Sequence, residues 1–208
     1  MITRAKDGPR RAPAAEERGP AAEQTRERIL TAAVAEFGAK GYAGARTAGI
    51  AARAGVNQQL ISYYFGGKKG LLDELRRRWA DAEAGLAPPG ATFGESVAAY
   101  LDATLDRPDW ARLVLWEALG DPRDDERAER VEAHQARLRA GVERMRRRQA
   151  AGEITAAVDP EFVLLIAHLL AFAPLAMPQI VGGLLDVDPL SPEYRRRCVA
   201  QLLTLVSA

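Results

Sequence analysis

Thr47, Gln58, Gln59, Ser62, Tyr63, Tyr64 and Lys68 crowd amides, hydroxyls, phenols and an ammonium into one short stretch. A Gln amide can pair with adenine N6 and N7. Hydroxyls, phenols and ammonium groups hold phosphates and fix register. None of this needs a metal or an activated nucleophile. The chemistry on offer is recognition of a duplex, not bond-making.

The element that must position these groups runs from Thr47 to Phe65, TAGIAARAGVNQQLISYYF. Ile50 and Ala51 begin an apolar face, and Ala54 ends a first short helix. Gly55 stands where helices commonly turn left-handed, which is cheap only for Gly. Val56 can pin the turn, and Asn57 suits the N-cap of a second helix. That helix carries Gln58, Gln59, Ser62, Tyr63 and Tyr64 beside apolar Leu60, Ile61 and Phe65. Tyr63 and Tyr64 are adjacent, about 100° apart on a helix, so both cannot point inward. The pattern is a helix-turn-helix.

The surrounding chain reads as helices throughout, so the fold class is all-α. Residues 1–21, rich in Ala, Pro, Arg and Glu, read as a disordered arm. Residues 22–67 form the helix-turn-helix domain, opened by a helix from Glu23 to Lys40 with Ile29, Leu30, Ala33, Val34 and Phe37 on one face. Residues 68–208 form a second helical domain. Its first helix, Lys68 to about Leu86, is the natural mechanical link between the parts. Further helices follow, with Trp110, Leu113, Val114, Trp116 and Leu119 inside one, and Val131, Leu138, Val142 and Met145 striping another. Asp159-Pro160 opens a very apolar helix and Ser191-Pro192 the last.

Charge is uneven. Through Arg78 there are 15 Lys and Arg against 8 Asp and Glu; beyond it there are 14 against 20. A basic first part on an acidic remainder suits a polyanion partner for the first part alone. Cys198 is the lone cysteine, and the two histidines, His134 and His168, stand far apart. No metal and no cofactor is expected. The N-terminal stretch lacks the apolar centre of a secretory signal. Phe162 to Leu185 has no Asp, Glu, Lys or Arg over 24 residues, enough to span a bilayer by length. Pro174, Pro178 and Gly182-Gly183 interrupt it, so a buried interface helix and a cytoplasmic protein are expected, with no membrane partner. Arg146-Arg147-Arg148 and Arg195-Arg196-Arg197 read as solvated helix faces.

Ile29-Leu30-x-x-Ala33, Phe37, Gly41-Tyr42, Ile50-Ala51-x-x-Ala54-Gly55-Val56 and Ile61-x-Tyr63-Tyr64-Phe65-x-x-Lys68-x-x-Leu71-Leu72 resemble the N-terminal domain of the tetracycline-repressor (TetR) family. The match covers about residues 23–78. The resemblance implies a homodimer that sets each third helix in the major groove of half a palindromic operator. It implies a C-terminal domain that dimerises and encloses a small apolar or amphipathic effector, whose binding shifts the fourth helix. On this chain it assigns Thr47, Tyr63, Tyr64 and Lys68 to the DNA backbone or a thymine methyl, and Gln58, Gln59 and Ser62 to the reading face. Four departures stand out: Arg46 where Ser or Thr is frequent, Gln59 where Gly is, Ser62 where an aromatic is, and Tyr64 where His is.

For the effector, the candidates are Phe93, Tyr100, Trp110, Trp116, His134 and Met145, which equally suit plain core packing. For the dimer they are Val163, Ile166, Leu170, Val199, Leu202, Leu203 and Val206. No triad or other catalytic arrangement is visible, so no enzyme is expected. The first reading is a ligand-responsive repressor. Two others stay open on the residues: a helical regulator without a small-molecule effector, and a helical carrier that no longer binds DNA.

Overall fold

The computed structural model describes residues 19–84, 86, 90–120 and 127–207. Among them ten α-helices form and no strand does. The chain divides at Asp81–Ala82 into two compact units. The fourth helix therefore belongs to the first unit through most of its length, rather than opening the second at Lys68. Most of the N-terminal arm lies outside the described residues.

The first unit holds α1 (Pro20–Gly44), α2 (Thr47–Ala54), α3 (Gln59–Phe65) and α4 (Lys68–Ala84) up to Asp81. α1 starts at Pro20, earlier than Glu23, because Pro is preorganised for a first helical turn. Gly41 takes a left-handed φ of 66°, and one further turn follows it. Ile29, Phe37, Ile50, Ile61, Leu71 and Leu75 meet in the core.

Two glycines fix the geometry. Gly55 is left-handed at φ 64° and ψ 40°. It lets Val56 N–H donate to Ala51 C=O at 3.0 Å, closing α2 with a Schellman-type pair. Gly70 is needed for closeness. A Cβ there would lie 1.9 Å from the Phe65 carbonyl oxygen, so α4 can start against the end of α3 only without a side chain.

The second unit holds α5 (Phe93–Leu105), α6 (Pro108–Leu119), α7 (Arg127–Ala150), α8 (Pro160–Ala176), α9 (Pro178–Leu185) and α10 (Pro192–Val206). Thr92 and Glu95 form a reciprocal capping box that starts α5. α8 turns the small residues Val163, Ala167 and Ala171 toward a core shared with Phe93, Val97, Leu101, Tyr194, Cys198 and Leu202. Pro174 sits inside α8 and has no N–H for the Leu170 carbonyl four residues back. The Tyr194 hydroxyl donates to that carbonyl at 2.7 Å instead. Burial holds this phenol well above its usual pKa.

The long apolar stretch is not one helix. It breaks at Met177, and α9 leaves α8 at 106°. Among the described residues no single helix is long and apolar enough to cross a membrane. Arg146, Arg147, Arg196 and Arg197 are exposed as expected, and one arginine of each triplet departs from the solvated face. Arg195 pairs with Asp102 at 2.9 Å and Asp106 at 2.6 Å, joining α10 to α5. Arg148 donates to Ala91 C=O and Ser96 Oγ, both at 2.8 Å, and pairs with Glu153. Trp116, Leu119 and Val131, expected inside, are exposed.

Removing the Tyr194 hydroxyl strands a buried carbonyl. Tyr194→Phe should lower unfolding stability by about 1–3 kcal/mol, read by urea denaturation. Gly70→Ala should cost more, because backbone rather than a side chain must move.

Candidate nucleic-acid interface

α3 is seven residues long and too short to persist alone, so its neighbours must hold it. Ile61 and Phe65 anchor one face in the core. Asn57 Oδ1 accepts the Gln59 backbone N–H at 2.8 Å, so Asn57 supplies the expected starting cap. Gln58 comes just before the first helical residue and is exposed, as are Gln59 and Ser62.

Tyr63 is 51% exposed, while Tyr64 is half-buried, edge-on to Tyr63 with ring centroids 5.0 Å apart. Only Tyr63 stands clear of the surface. Lys68 Nζ lies 4.3 Å from the centre of the Tyr42 ring, a cation–π contact at the start of α4. Gln58 Nε2 donates to Thr47 Oγ1 at 2.8 Å, joining the starts of α2 and α3.

The start of α2 holds a residue that sequence reasoning passed over. Thr47 is the first helical residue, and Arg46 takes the cap position with no side-chain cap bond. Glu36 of α1, 3% exposed, reaches this helix end. It accepts from the Arg46 backbone and from Lys40 Nζ, the latter at 2.6 Å. The Lys40 bond lowers its pKa against the opposing effect of burial. A Cβ on Gly49 would come within 2.8 Å of Glu36 Oε1. The helix end expected to face a phosphate thus already has a carboxylate beside it. The signal was present in the sequence: Glu36 lies i+7 from Ile29 and i+3 from Ala33, on the buried face.

A second carboxylate ties α4 to α1. Glu74 of α4 pairs with Arg26 at 2.6 Å, Arg77 at 2.9 Å and Arg78 at 3.0 Å. Arg78 also makes two bonds to Glu27, at 2.8 and 2.6 Å. Arg26 lies over the Phe65 ring at 5.2 Å, so this cluster touches the end of α3. Burial alone would raise the pKa of Glu74. The bonds from Arg77, Arg26 and Arg78 outweigh it and hold the carboxyl at about 2.

The remaining candidates scatter. Phe93 and Met145 lie in the core of the second unit. Tyr100 is half-buried against His168, ring centroids 5.1 Å apart. Trp110 is half-buried, and Trp116 and His134 are exposed. A surface groove on α7 and α8, lined by Leu138, Arg139, Val142, Glu143, Arg146 and Glu161, contains none of these six. Among the dimer candidates, Val163, Leu202 and Val206 are core residues of their own chain and at most 2% exposed, so they present nothing to a second copy. Ile166, Leu170 and Val199 pack partly against that core. Leu203 is exposed.

A helix-turn-helix whose second helix, with the residue that caps it, bares two amides, a hydroxyl and a phenol defines a DNA-binding regulator of transcription. Residues 29–75 match the model for bacterial regulatory proteins of the tetR family, and residues 93–204 match a tetracyclin repressor-like C-terminal domain. The chain belongs to the TetR family, whose members act by binding DNA and not by catalysis. It is 36% identical over 172 residues to the HTH-type transcriptional repressor SCO4008 of Streptomyces coelicolor, covering 77% of this chain and 85% of that protein. The crystal structure of SCO4942 from Streptomyces coelicolor superposes with a TM-score of 0.70 at 26% identity, over 88% of this chain and 98% of that one. The regulator CifR, solved with a 26-base-pair operator duplex, shares the fold at a TM-score of 0.61 and 22% identity, over 87% of this chain and 96% of that one.

The Glu74 cluster carries a pH signature. A carboxyl depressed to about 2 adds stability above its unfolded value of about 4.5, and that stability fades as pH falls toward 2. Glu74→Gln should be less stable than the parent at pH 7 by roughly 1–3 kcal/mol, given about 1.4 kcal/mol per pKa unit. The gap between the two should close as pH falls below about 4.5, read by urea unfolding at several pH values.

Proposed function

We propose that this chain is a repressor that binds a palindromic operator as a homodimer and is released by a small apolar or amphipathic effector. The observation that carries the DNA half is the exposed face of Gln58, Gln59, Ser62 and Tyr63, on a helix fixed by buried Ile61 and Phe65. Two such helices on one duplex face must sit about 34–36 Å apart, or a multiple of it. An effector that alters this separation alters affinity. By linkage it must itself bind more weakly to the DNA complex.

An apolar stripe on α8 supports the homodimer. Phe162, Leu165 and Leu169 follow at i, i+3 and i+7 and are each about half exposed, and α10 adds Leu203 and Leu205. Isologous pairing through such a stripe buries it in both copies at once. This shifts the interface to the large residues opposite Val163, Ala167 and Ala171. For the effector, the support is the Tyr100–His168 ring pair, an amphipathic group beside the apolar core of the second unit.

In a gel shift at fixed salt, the purified chain should prefer its own upstream DNA to random duplex of equal length. Equal binding to both would sink the reading. Leu165→Glu and Leu169→Glu should yield a folded monomer by size-exclusion chromatography, with operator affinity down roughly 100-fold or more as the second reading head is lost. A charge at Leu202 should instead unfold the second unit.

A further inference from the structure

We infer that Thr47 is a specificity-determining positioning residue: its hydroxyl fixes the Gln58 amide so that Gln58 reads adenine. The inference rests on the reading of α3 as the helix that meets bases, and adds which base and what holds the reader in place.

The geometry is simple. Gln58 is exposed and precedes the first residue of α3. A free Gln has several rotatable bonds, and its amide can present either end outward. As a donor–acceptor pair that can be turned over, it discriminates poorly. Here Nε2 donates to Thr47 Oγ1 at 2.8 Å. That bond names the inward end of the amide, and Oε1 is left as the outward acceptor.

Counting hydrogens gives the base preference. Nε2 carries two, and Thr47 takes one. One donor remains beside the Oε1 acceptor. Adenine offers the complement, an N6 amino donor and an N7 acceptor. Thymine O4 and guanine O6 are acceptors and oppose Oε1. Cytosine satisfies Oε1 through N4 but has no acceptor for the second hydrogen.

Thr47 keeps its own hydrogen. A hydroxyl has one donor and two lone pairs, and the Gln58 bond uses a lone pair. The O–H is free to donate to a backbone phosphate. Glu36 bears on the same helix end from the protein side, accepting the Arg46 backbone N–H beside Thr47. Backbone contact and base contact then share one atom, so register and readout are set together.

The test uses the full chain and an operator selected by it from a randomised duplex pool. Single base substitutions are then made symmetrically in both half-sites. The parent should prefer adenine at one position per half-site by roughly 10- to 100-fold, the range of a good bidentate contact. Gln58→Ala should abolish that preference. Thr47→Val, which keeps the shape without the hydroxyl, should abolish it at the same position, and Thr47→Ser should keep it. Thr47→Ala gives a second hydroxyl-free variant, and thermal melts confirm folding of each. In the double variant, discrimination should be no worse than in Gln58→Ala. If Thr47→Val and Thr47→Ala weaken every duplex equally and leave the preference intact, Thr47 is only a backbone contact and the inference fails while the repressor reading stands. If the parent selects no operator at all, the repressor reading fails and this inference with it.

Discussion

The Glu74 carboxylate, 14% exposed, sits among three guanidinium groups, and the arrangement of the reading head depends on it. Arg26 comes from α1, Arg77 and Arg78 from α4, and Arg26 covers Phe65 at the end of α3. One acid thus draws three helices together around the shortest of them. Removing a carboxylate from water is expensive, and a single partner seldom compensates. Charge-assisted bonds from several donors do so, since each is about twice as strong as a neutral one. One turn earlier on α4, Gly70 admits no side chain against Phe65 C=O. An attractive cluster and a steric limit therefore fix the same junction.

The fold of this half was legible because its signals are local. Gly55, Asn57 and the apolar spacing of Ile50, Ala54, Ile61 and Phe65 each determine a few adjacent dihedrals, and the structure follows them. The exposed face of α3 was legible for the same reason. What could not be read were contacts across long separations. Arg195 and Arg196 look alike in the chain, yet only Arg195 meets Asp102 on α5 and Asp106 at its end. Glu36 was visible as an acid on an apolar face, but its place at the start of α2 depends on how two helices pack.

The second unit shows a related difficulty. α8 is apolar on nearly all sides, so periodicity cannot say which side faces the chain's own core. Residue size decides. Val163, Ala167 and Ala171 allow close packing within the unit, while Phe162, Leu165 and Leu169 are left on the outside. Val163, Leu202 and Val206, expected as contacts between copies, lie in the chain's own core. The break at Met177 was hinted at by Pro178, but the size of the bend, 106°, was not.

The choice of arginine around Glu74 has a consequence at the alkaline end of the scale. A guanidinium keeps its charge far beyond the range in which an ammonium gives it up. The Glu27 bond raises the pKa of Arg78 further, against the effect of burial. The clasp on α3 is therefore one-sided: acid can open it by protonating the carboxylates, and base has no equivalent handle. Lysines at 26, 77 and 78 would have matched the charge but brought in a second weak point.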